Sequence, residues 1–287
     1  MPALRAFAAH HGATVTPTTH PRHATALAAR ALAEGYELIV AAGGDGTINE
    51  IAAVLAGTGA TLGLVPCGSG NGLGRHLGIH GSVTQALRLL TDGVPQLIDS
   101  GRADGHPFFT VAGLGFEAEI ADRFNRLPRR GFLRYLLLSA RTFASWRPQD
   151  YTIIHRGGRE PVRAFTLAVA NASQYGNHAR IAPRARTDDG RLDLCAVPPI
   201  SLWNALPLTT RLFSGTVDRV PGVISRQAEH FIVERAAPGL LHTDGEVHPA
   251  GRRVEFTVRP ASLRVMVPAP DESFPLPAGP AAPGPGA

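Results

Sequence analysis

The chain has 287 residues, 44% of them hydrophobic and 18% charged, which gives length for two domains of ordinary size and excludes a disordered polypeptide. Its formal charge is +5 and all 28 basic residues are arginine, so a Walker-type phosphate loop, a protein-kinase lysine pairing and Schiff-base chemistry are excluded. Any phosphate must be held by backbone amides, arginine or metal, and the basic surface suits nucleotides, acidic lipid headgroups or nucleic acid without choosing among them.

High alanine content and helical spacing predict helices over 3–11 and 24–34, and the apolar run 37–42 predicts a strand ending in glycines, so the chain opens as helix, strand, helix, strand. Gly43, Gly44 and Gly46 close that strand in a tight turn, and Ile48, Ile51, Ala52, Val54 and Leu55 then predict a helix over 47–55. A second strand, 61–65, runs into another glycine-rich turn, 66–74, followed by a helix over 83–90. Strands alternating with helices predict a mostly parallel α/β sheet. From about residue 97, strand-like segments at 108–112, 151–155, 165–170, 192–197, 230–234 and 254–258 predict an antiparallel second domain, interrupted by one helical insertion over 122–147. Beyond 268, proline, alanine and glycine without periodicity predict a disordered tail. The expected division is 1–97, 98–267 and 268–287.

No apolar run is long enough to span a bilayer and the N-terminus lacks a signal-peptide layout, so membrane contact is expected to be peripheral and the location cytoplasmic. Cys67 and Cys195 show no zinc or redox spacing and are expected to be small buried residues.

In open parallel sheets, ligands bind at the carboxyl ends of strands, where free amides at helix N-termini attract phosphate. Both glycine-rich turns fall there. In Gly43-Gly44-Asp45-Gly46-Thr47-Ile48-Asn49-Glu50 the glycines admit a polyphosphate, Asp45 can reach its magnesium, and Thr47 and Asn49 offer polar contacts; the alternative is a plain strand-to-helix turn capped by Asp45. The second turn, from Pro66 to Arg75, adds Ser69, Asn71 and Arg75 to the same permissive backbone.

With these two turns, the sequence resembles the diacylglycerol kinase catalytic-domain family, which includes bacterial lipid kinases and the sphingosine and ceramide kinases. The resemblance runs in order through 18–24, Gly113-Leu114-Gly115-Phe116-Glu117, Thr187-Asp188-Asp189-Gly190-Arg191-Leu192-Asp193 and Thr243-Asp244-Gly245-Glu246. It implies a nucleotide-binding α/β domain like that of NAD kinases, an antiparallel β-sandwich after it, and catalysis in the cleft between them. It also implies ATP contacts at Thr18, Gly43, Gly44, Asp45, Gly46, Thr47, Ile48, Asn49 and Ser69. Members open with a strand ending in an Asn-Pro-x-Ser-Gly-type turn, whereas this chain opens inside the following helix, so that strand is expected to be missing, leaving a sheet edge exposed and ATP binding weakened. Bacterial relatives also carry an aspartate where this chain has Gly72, and the Gly-Ser-Gly-Asn version is closer to the sphingosine-kinase-like branch.

Phosphoryl transfer to an alcohol needs charge neutralisation, in-line positioning and an acceptor for the hydroxyl proton. By the family pattern Glu246 is that acceptor, with Asp244 beside it to position metal or hydroxyl; a β-turn with Asp-Gly at its corner and a solvated Glu is the alternative. A metal site at His242 and His248 is disfavoured, both lying on an extended segment. The resemblance places a structural magnesium at Asp189 with backbone oxygens of Arg186 and Arg191; otherwise 188–190 is a hairpin turn. Gly113 to Ala118 fits the G-x-G-x-x-A dinucleotide fingerprint but reads as a decoy, because no βαβ unit follows. Between Arg123 and Arg147 lie seven arginines and no acidic residue, interleaved with Phe132, Leu133, Leu136, Leu137, Leu138, Phe143 and Trp146. That segment either lies on an anionic membrane or packs on the sandwich with solvated arginines.

The sequence thus predicts an ATP- and Mg2+-dependent lipid kinase that visits the membrane surface to phosphorylate a lipid alcohol such as diacylglycerol or a sphingoid base. NAD kinase and an inactive lipid-binding regulatory protein are the alternatives. No nucleic-acid partner is expected, and the oligomeric state is left open, a homodimer included.

Overall fold

The structure is a computed structural model that describes residues 2–127 and 132–269. The tail expected to be disordered lies, from 270 on, outside the described residues. The first part of the chain comprises α1 (Pro2–His10), α2 (His23–Ala33), β1 (Leu38–Gly43), α3 (Asp45–Leu55), β2 (Thr61–Pro66), α4 (Gly72–His76) and α5 (Val83–Asp92). A reciprocal box starts α5: Ser82 Oγ accepts from the Gln85 amide (3.2 Å), while the Ser82 amide donates to Gln85 Oε1 (2.9 Å).

Then follow β3 (Val94–Ala103), β4 (His106–Phe108), β5 (Val111–Gly115), α6 (Phe116–Asn125), α7 (Phe132–Ser145), β6 (Gln149–His155), β7 (Gly158–Ala164), β8 (Thr166–Ala170) and β9 (Leu192–Val197). The chain continues through α8 (Leu202–Ser214), β10 (Ile224–Ala228), β11 (His230–Arg235), β12 (Gly239–Thr243), β13 (Glu246–Ala250) and β14 (Arg253–Val267).

The expected α/β unit is present. β1 and β2 pair in parallel from Leu38↔Thr61 to Gly43↔Pro66, and the end of β14 adds a further parallel strand at Val265↔Leu62. Its core joins Ile48, Ile51 and Leu55 of α3 to Leu62, Leu64, Leu87 and Leu90. Leu263, Val265 and Val267 belong to this core too, so the last residues of the segment expected to form the second domain complete the first.

The expected antiparallel sandwich is also present. β14, β11, β6 and β7 form one layer, continuous with the parallel strands, and a separate sheet in the order β10-β9-β8-β5-β12-β13 forms the other. Leu114, Leu167, Leu194 and Leu241 of the second sheet meet Ile153, Phe231, Val254 and Phe256 of the first. Residues of opposite parity on the second sheet, Val111, Ala168, Ala170, Cys195 and Val197, face outward beneath Leu208 and Leu212 of α8.

β3 and β14 form a long antiparallel ribbon from Val94↔Val267 to Ala103↔Phe256, with a register break between Arg259 and Leu263. The buried Asp99 fills that break: Oδ1 accepts from the Ala261 amide and Oδ2 from the Gly190 amide, each at 2.7 Å. This ribbon links the two halves of the molecule.

Several expectations need correction. No strand forms between α1 and α2, where Pro17 and Pro21 break a segment without alternating apolar residues. The single helix expected over 122–147 is two, because α6 begins at Phe116, directly after β5. α8 was hidden by Pro207, which reads as a helix breaker yet lies inside the helix. Cys67 is exposed, since it lies in the second glycine turn, whereas Cys195 is buried and its thiol is pushed up to about 12 by desolvation.

Candidate active site

β1 delivers the first glycine turn. Gly43 ends the strand, Gly44 is extended, and α3 starts at Asp45 with no side chain capping its first amides. A Cβ on Gly46 would meet nothing within 4 Å, so the helix N-terminus opens onto free space, an arrangement that accepts phosphate. Thr47 and Asn49 are partly exposed beside it, and Thr18 and Ser69 are exposed. The side chain of Ile48 is buried in the α/β core and its amide bonds Gly44 O (3.1 Å), so this side chain helps set the helix.

Asp45 faces the second turn, its Oδ2 accepting from the Asn71 amide (2.9 Å) and its Oδ1 from the Gly72 amide (2.8 Å). Asn71, at φ 52°, braces that turn by accepting from the Gly68 amide (3.0 Å) and donating to Gly68 O (2.8 Å). The two turns touch through their backbones: a Cβ on Gly68 would lie 2.8 Å from Gly44 Cα, and one on Gly70 2.7 Å from Asp45 Oδ2.

Glu50 reaches from α3 to the start of α2 and accepts from the amides of Arg22 (3.1 Å) and Thr25 (3.3 Å). It supplies the cap that Arg22, left-handed at φ 64°, does not provide. From this anchored position the Arg22 guanidinium extends to Glu246, 3.6 Å away. Among the described residues this is the ion pair that joins the α/β half to the hairpin β12–β13.

Glu246 follows a two-residue turn, Asp244 (φ 51°) and Gly245 (φ 86°), across which Thr243 pairs with Glu246. Its side chain is 65% exposed. Asp244 is otherwise placed. Its carboxylate is buried, with Oδ2 accepting from the Phe109 amide (2.7 Å), and Oδ1 from the amides of Thr110 and Val111 (2.9 Å each) and from the Thr110 hydroxyl. Desolvation raises its pKa while these four donors oppose the rise. Both Asp244 oxygens are thus engaged in holding the turn to the start of β5. Asn125 of α6 adds a bond to Gly245 O (2.9 Å).

His242 is buried behind the same turn, its Nδ1 facing the Gly245 amide (3.4 Å) and its Nε2 lying 3.6 Å from Glu117 Oε1. Tyr175 donates to the other Glu117 oxygen. Gly113 leaves room for the Glu117 carboxylate against β5, which accounts for the dinucleotide-like glycine spacing. His242 and His248 fall on opposite faces of the hairpin, since they pair with Val247 and Leu241 respectively. His248 instead stacks on His106 at 3.7 Å.

At the acidic turn, Asp189 Oδ1 accepts from the Arg191 amide (3.0 Å) and Oδ2 from Gln227 (2.8 Å), while Arg186 pairs with Asp188 (2.9 Å). Desolvation foremost, with Asp99 and Asp188 nearby, raises the Asp189 pKa; desolvation and Asp189 raise Asp193 to about 6. Among the described residues no three histidines, cysteines or carboxylates converge on a metal position, so a cation here would need carbonyl oxygens as well as Asp189.

In the arginine-rich segment, Arg123 pairs with Glu119 (2.6 Å) and Arg126 with Asp122 (2.9 Å), acidic partners that lie on α6 just before the acid-free stretch. Phe143 and Trp146 pack with Phe116 and Phe165, and the Trp146 indole donates to Phe165 O (2.9 Å). Leu137 is exposed, and Arg129 and Arg130 lie outside the described residues. Sequence reasoning missed the roles of Arg22, Glu50, Asp99 and Thr110; Arg22 and Glu50 lie inside the segments 18–24 and 43–50 singled out above, whereas Asp99 and Thr110 carry no local signal of theirs.

A parallel α/β unit with an open helix N-terminus, joined through the Arg22–Glu246 pair to a sandwich hairpin, defines the class as a two-domain kinase of the NAD kinase and lipid kinase type. Residues 3–103 match the diacylglycerol kinase catalytic domain, and residues 110–267 the YegS C-terminal NAD kinase beta sandwich-like domain. The chain belongs to the diacylglycerol kinase catalytic-domain family and is a lipid kinase. It is 32% identical over 251 residues to a diacylglycerol kinase of Mycobacterium tuberculosis, covering 84% of this chain and 80% of that one. It is 33% identical over 245 residues to a probable lipid kinase YegS-like of Pseudomonas aeruginosa, covering 83% and 79%. A putative diacylglycerol kinase from Bacillus anthracis shares the fold at TM-score 0.73 and 21% identity, covering 93% and 88%. An NAD kinase from Archaeoglobus fulgidus in complex with ATP shares it at TM-score 0.55 and 12% identity, covering 92% and 88%.

Proposed function

We infer that this lipid kinase transfers the γ-phosphoryl group of ATP to a hydroxyl of a membrane lipid, diacylglycerol or a sphingoid base, at the cytoplasmic membrane surface, with Glu246 as proton acceptor. The observation that carries this reading is the exposed Glu246 carboxylate 3.6 Å from the guanidinium of Arg22, whose backbone amide is bonded to Glu50 of α3, the helix that begins at the first glycine turn. The uncapped amides of Asp45, Gly46 and Thr47 fit a polyphosphate, with Thr18, Gly43, Gly44, Asn49 and Ser69 around it and the Ile48 side chain turned away. A Mg2+ ion bound with the nucleotide would supply charge neutralisation on the phosphates.

Glu246 takes the proton of the acceptor hydroxyl as that oxygen attacks the γ-phosphorus, the bond from the γ-phosphorus to the β,γ-bridging oxygen breaks and ADP leaves with that oxygen, and the Arg22 guanidinium, released from Glu246, stabilises charge on the transferred group. Asp244 fixes the turn that aims Glu246. The carboxylates of Asp99, Asp188, Asp189 and Asp193 crowd the 188–190 turn, and a structural Mg2+ held by Asp189 with the backbone oxygens of Arg186 and Arg191 would relieve that repulsion.

The test is incubation of the purified chain with γ-labelled ATP, Mg2+ and vesicles containing diacylglycerol or sphingosine, with NAD in a parallel reaction. Label in a lipid and not in NAD is expected. Label in NAD alone would replace this reading with NAD kinase, and label in neither would leave a lipid-binding protein without transferase activity.

A further inference from the structure

α8 presents two unlike faces. Leu208 and Leu212 point into the cluster on the outer side of the second sheet, against residues such as Ala168 and Val197. On the opposite side of the helix, Trp203 is 89% exposed, Leu206 72% and Phe213 46%. At about 100° per residue these three fall on one stripe, together with Thr210. The hydroxyls of Thr209 and Thr210 turn back to the carbonyls of Ala205 and Pro207, each at 2.8 Å, so neither spends its donor on solvent. Folding has left an apolar strip uncovered on a helix whose other side is already packed.

The surroundings of the strip say what covers it. From Pro198 to Val217 there is no acidic residue, and Arg211 on the helix and Arg180 beside its C-terminus are exposed. Arg219 is exposed as well, and the next carboxylate, Asp218, is already paired with Arg184 at 3.0 Å. A tryptophan and a leucine flanked by unopposed arginines match the interface of a bilayer with anionic headgroups, where the indole sits among headgroups and the guanidiniums meet phosphates. A protein surface would be expected to offer carboxylates in return only at particular points, whereas a bilayer covers the whole strip. No helix among the described residues is long and apolar enough to cross a membrane, which leaves docking from one side as the route by which these helices engage it.

We propose that α8 is the membrane-docking element of this protein, seating Trp203, Leu206 and Phe213 in the headgroup region of an anionic bilayer. The proposal rests on the lipid-kinase reading for its biological sense, but binding is measured without ATP, so it stands or falls separately. The experiment is co-sedimentation of the full chain with vesicles of phosphatidylcholine containing 30% phosphatidylglycerol, about the anionic content used to mimic a charged leaflet, alongside the W203E/L206E variant. Loss of at least about tenfold in vesicle affinity is expected, with unchanged melting temperature and unchanged turnover of a short-chain diacylglycerol dispersed in detergent. Brominated acyl chains should quench the tryptophan emission of the wild type and not that of Trp203→Phe, whose remaining indole, Trp146, is bonded to the sheet. Equal vesicle binding by wild type and W203E/L206E, or equal quenching of wild type and W203F, overturns the proposal. So does a wild-type dimer in light scattering that W203E/L206E converts to monomer, because a second copy would then cover the strip.

Discussion

The Asp45 carboxylate accepts the Gly72 backbone amide at 2.8 Å and the neighbouring Asn71 amide at 2.9 Å, so one side chain on the first glycine turn fixes the second. Bonds from amides to an ionised acceptor contribute about 1.5–3 kcal/mol each, and the donors would otherwise be left without a partner. Asp45→Ala is expected to lower stability by about 2–4 kcal/mol and to cut turnover further than stability alone explains, because Ser69 loses its position. Thermal unfolding and initial rates measured on the same preparation check this; a variant with wild-type melting and wild-type turnover would remove Asp45 from its structural role.

Gly72 is tied to that contact by a second constraint. A Cβ at this position would lie 2.6 Å from the backbone oxygen of Tyr175, in the segment joined to the turn by the bridge Asn71↔Gly176. The aspartate expected here from the bacterial members therefore has no room in this chain. Gly72→Asp is expected to destabilise by about 1–3 kcal/mol through overpacking and to abolish activity rather than improve it. Urea unfolding gives the first quantity, and a stability equal to wild type would show that the loop can retreat.

Asp244 and Glu246 are two residues apart but should respond to mutation in opposite ways. Asp244→Ala orphans three buried amides and a hydroxyl and is expected to cost about 3–5 kcal/mol, unfolding a large part of the population near physiological temperature. Glu246→Gln removes an exposed carboxylate and should leave the melting temperature within about 3 °C, since surface pairs contribute about 0–1 kcal/mol. Its turnover should fall by about 10²–10⁴-fold, the usual contribution of a general base. Differential scanning fluorimetry beside steady-state kinetics separates the two patterns, and retained turnover in Glu246→Gln would require another proton acceptor.

For Arg22 the expectation is a loss in kcat of about 10²-fold in Arg22→Ala, similar to removing one transition-state donor, with partial recovery on adding free guanidine. Calorimetry supplies a readout independent of turnover: the wild type should bind ATP more tightly than ADP, and the difference should shrink in Arg22→Ala. Identical preferences in both proteins would confine Arg22 to its ion pair with Glu246.

What the sequence revealed and what it concealed divide along chain distance. The helices 3–11, 24–34 and 83–90 and the strands ending at Gly43 and Pro66 were legible because apolar period and glycine punctuation act within a few residues. The family motifs located both turns and the Glu246 hairpin. The partners of those residues were not legible: Glu50 caps a helix begun at residue 23, Asp99 bonds amides at 190 and 261, and Asp244 bonds amides at 109–111. A carboxylate carries no local signal of which distant amide it will meet. Of β14 the sequence shows only 254–258, whereas the ribbon with β3 resumes beyond the break between Arg259 and Leu263, where Pro260 and the left-handed Ala261 interrupt the pattern.

His76 gives the molecule a pH dependence of its own. It is partly buried on α4, its Nδ1 accepting from the Ser173 amide at 3.2 Å, and desolvation lowers its pKa to about 4, an effect that Asp188 opposes. In the unfolded chain it titrates near 6.5, so between about pH 6.5 and 4 the unfolded state binds the additional proton. Stability from this residue is thus complete above about pH 6.5 and is lost as pH falls toward 4. A shift of this size corresponds to about 3 kcal/mol. His76→Gln, which retains an acceptor for the Ser173 amide, should flatten that part of the stability profile while leaving other acid-sensitive groups in place. Urea unfolding at half-unit intervals from pH 4 to 7.5 measures both profiles. Parallel curves for the two proteins would show that His76 titrates in the folded state as it does in the unfolded one.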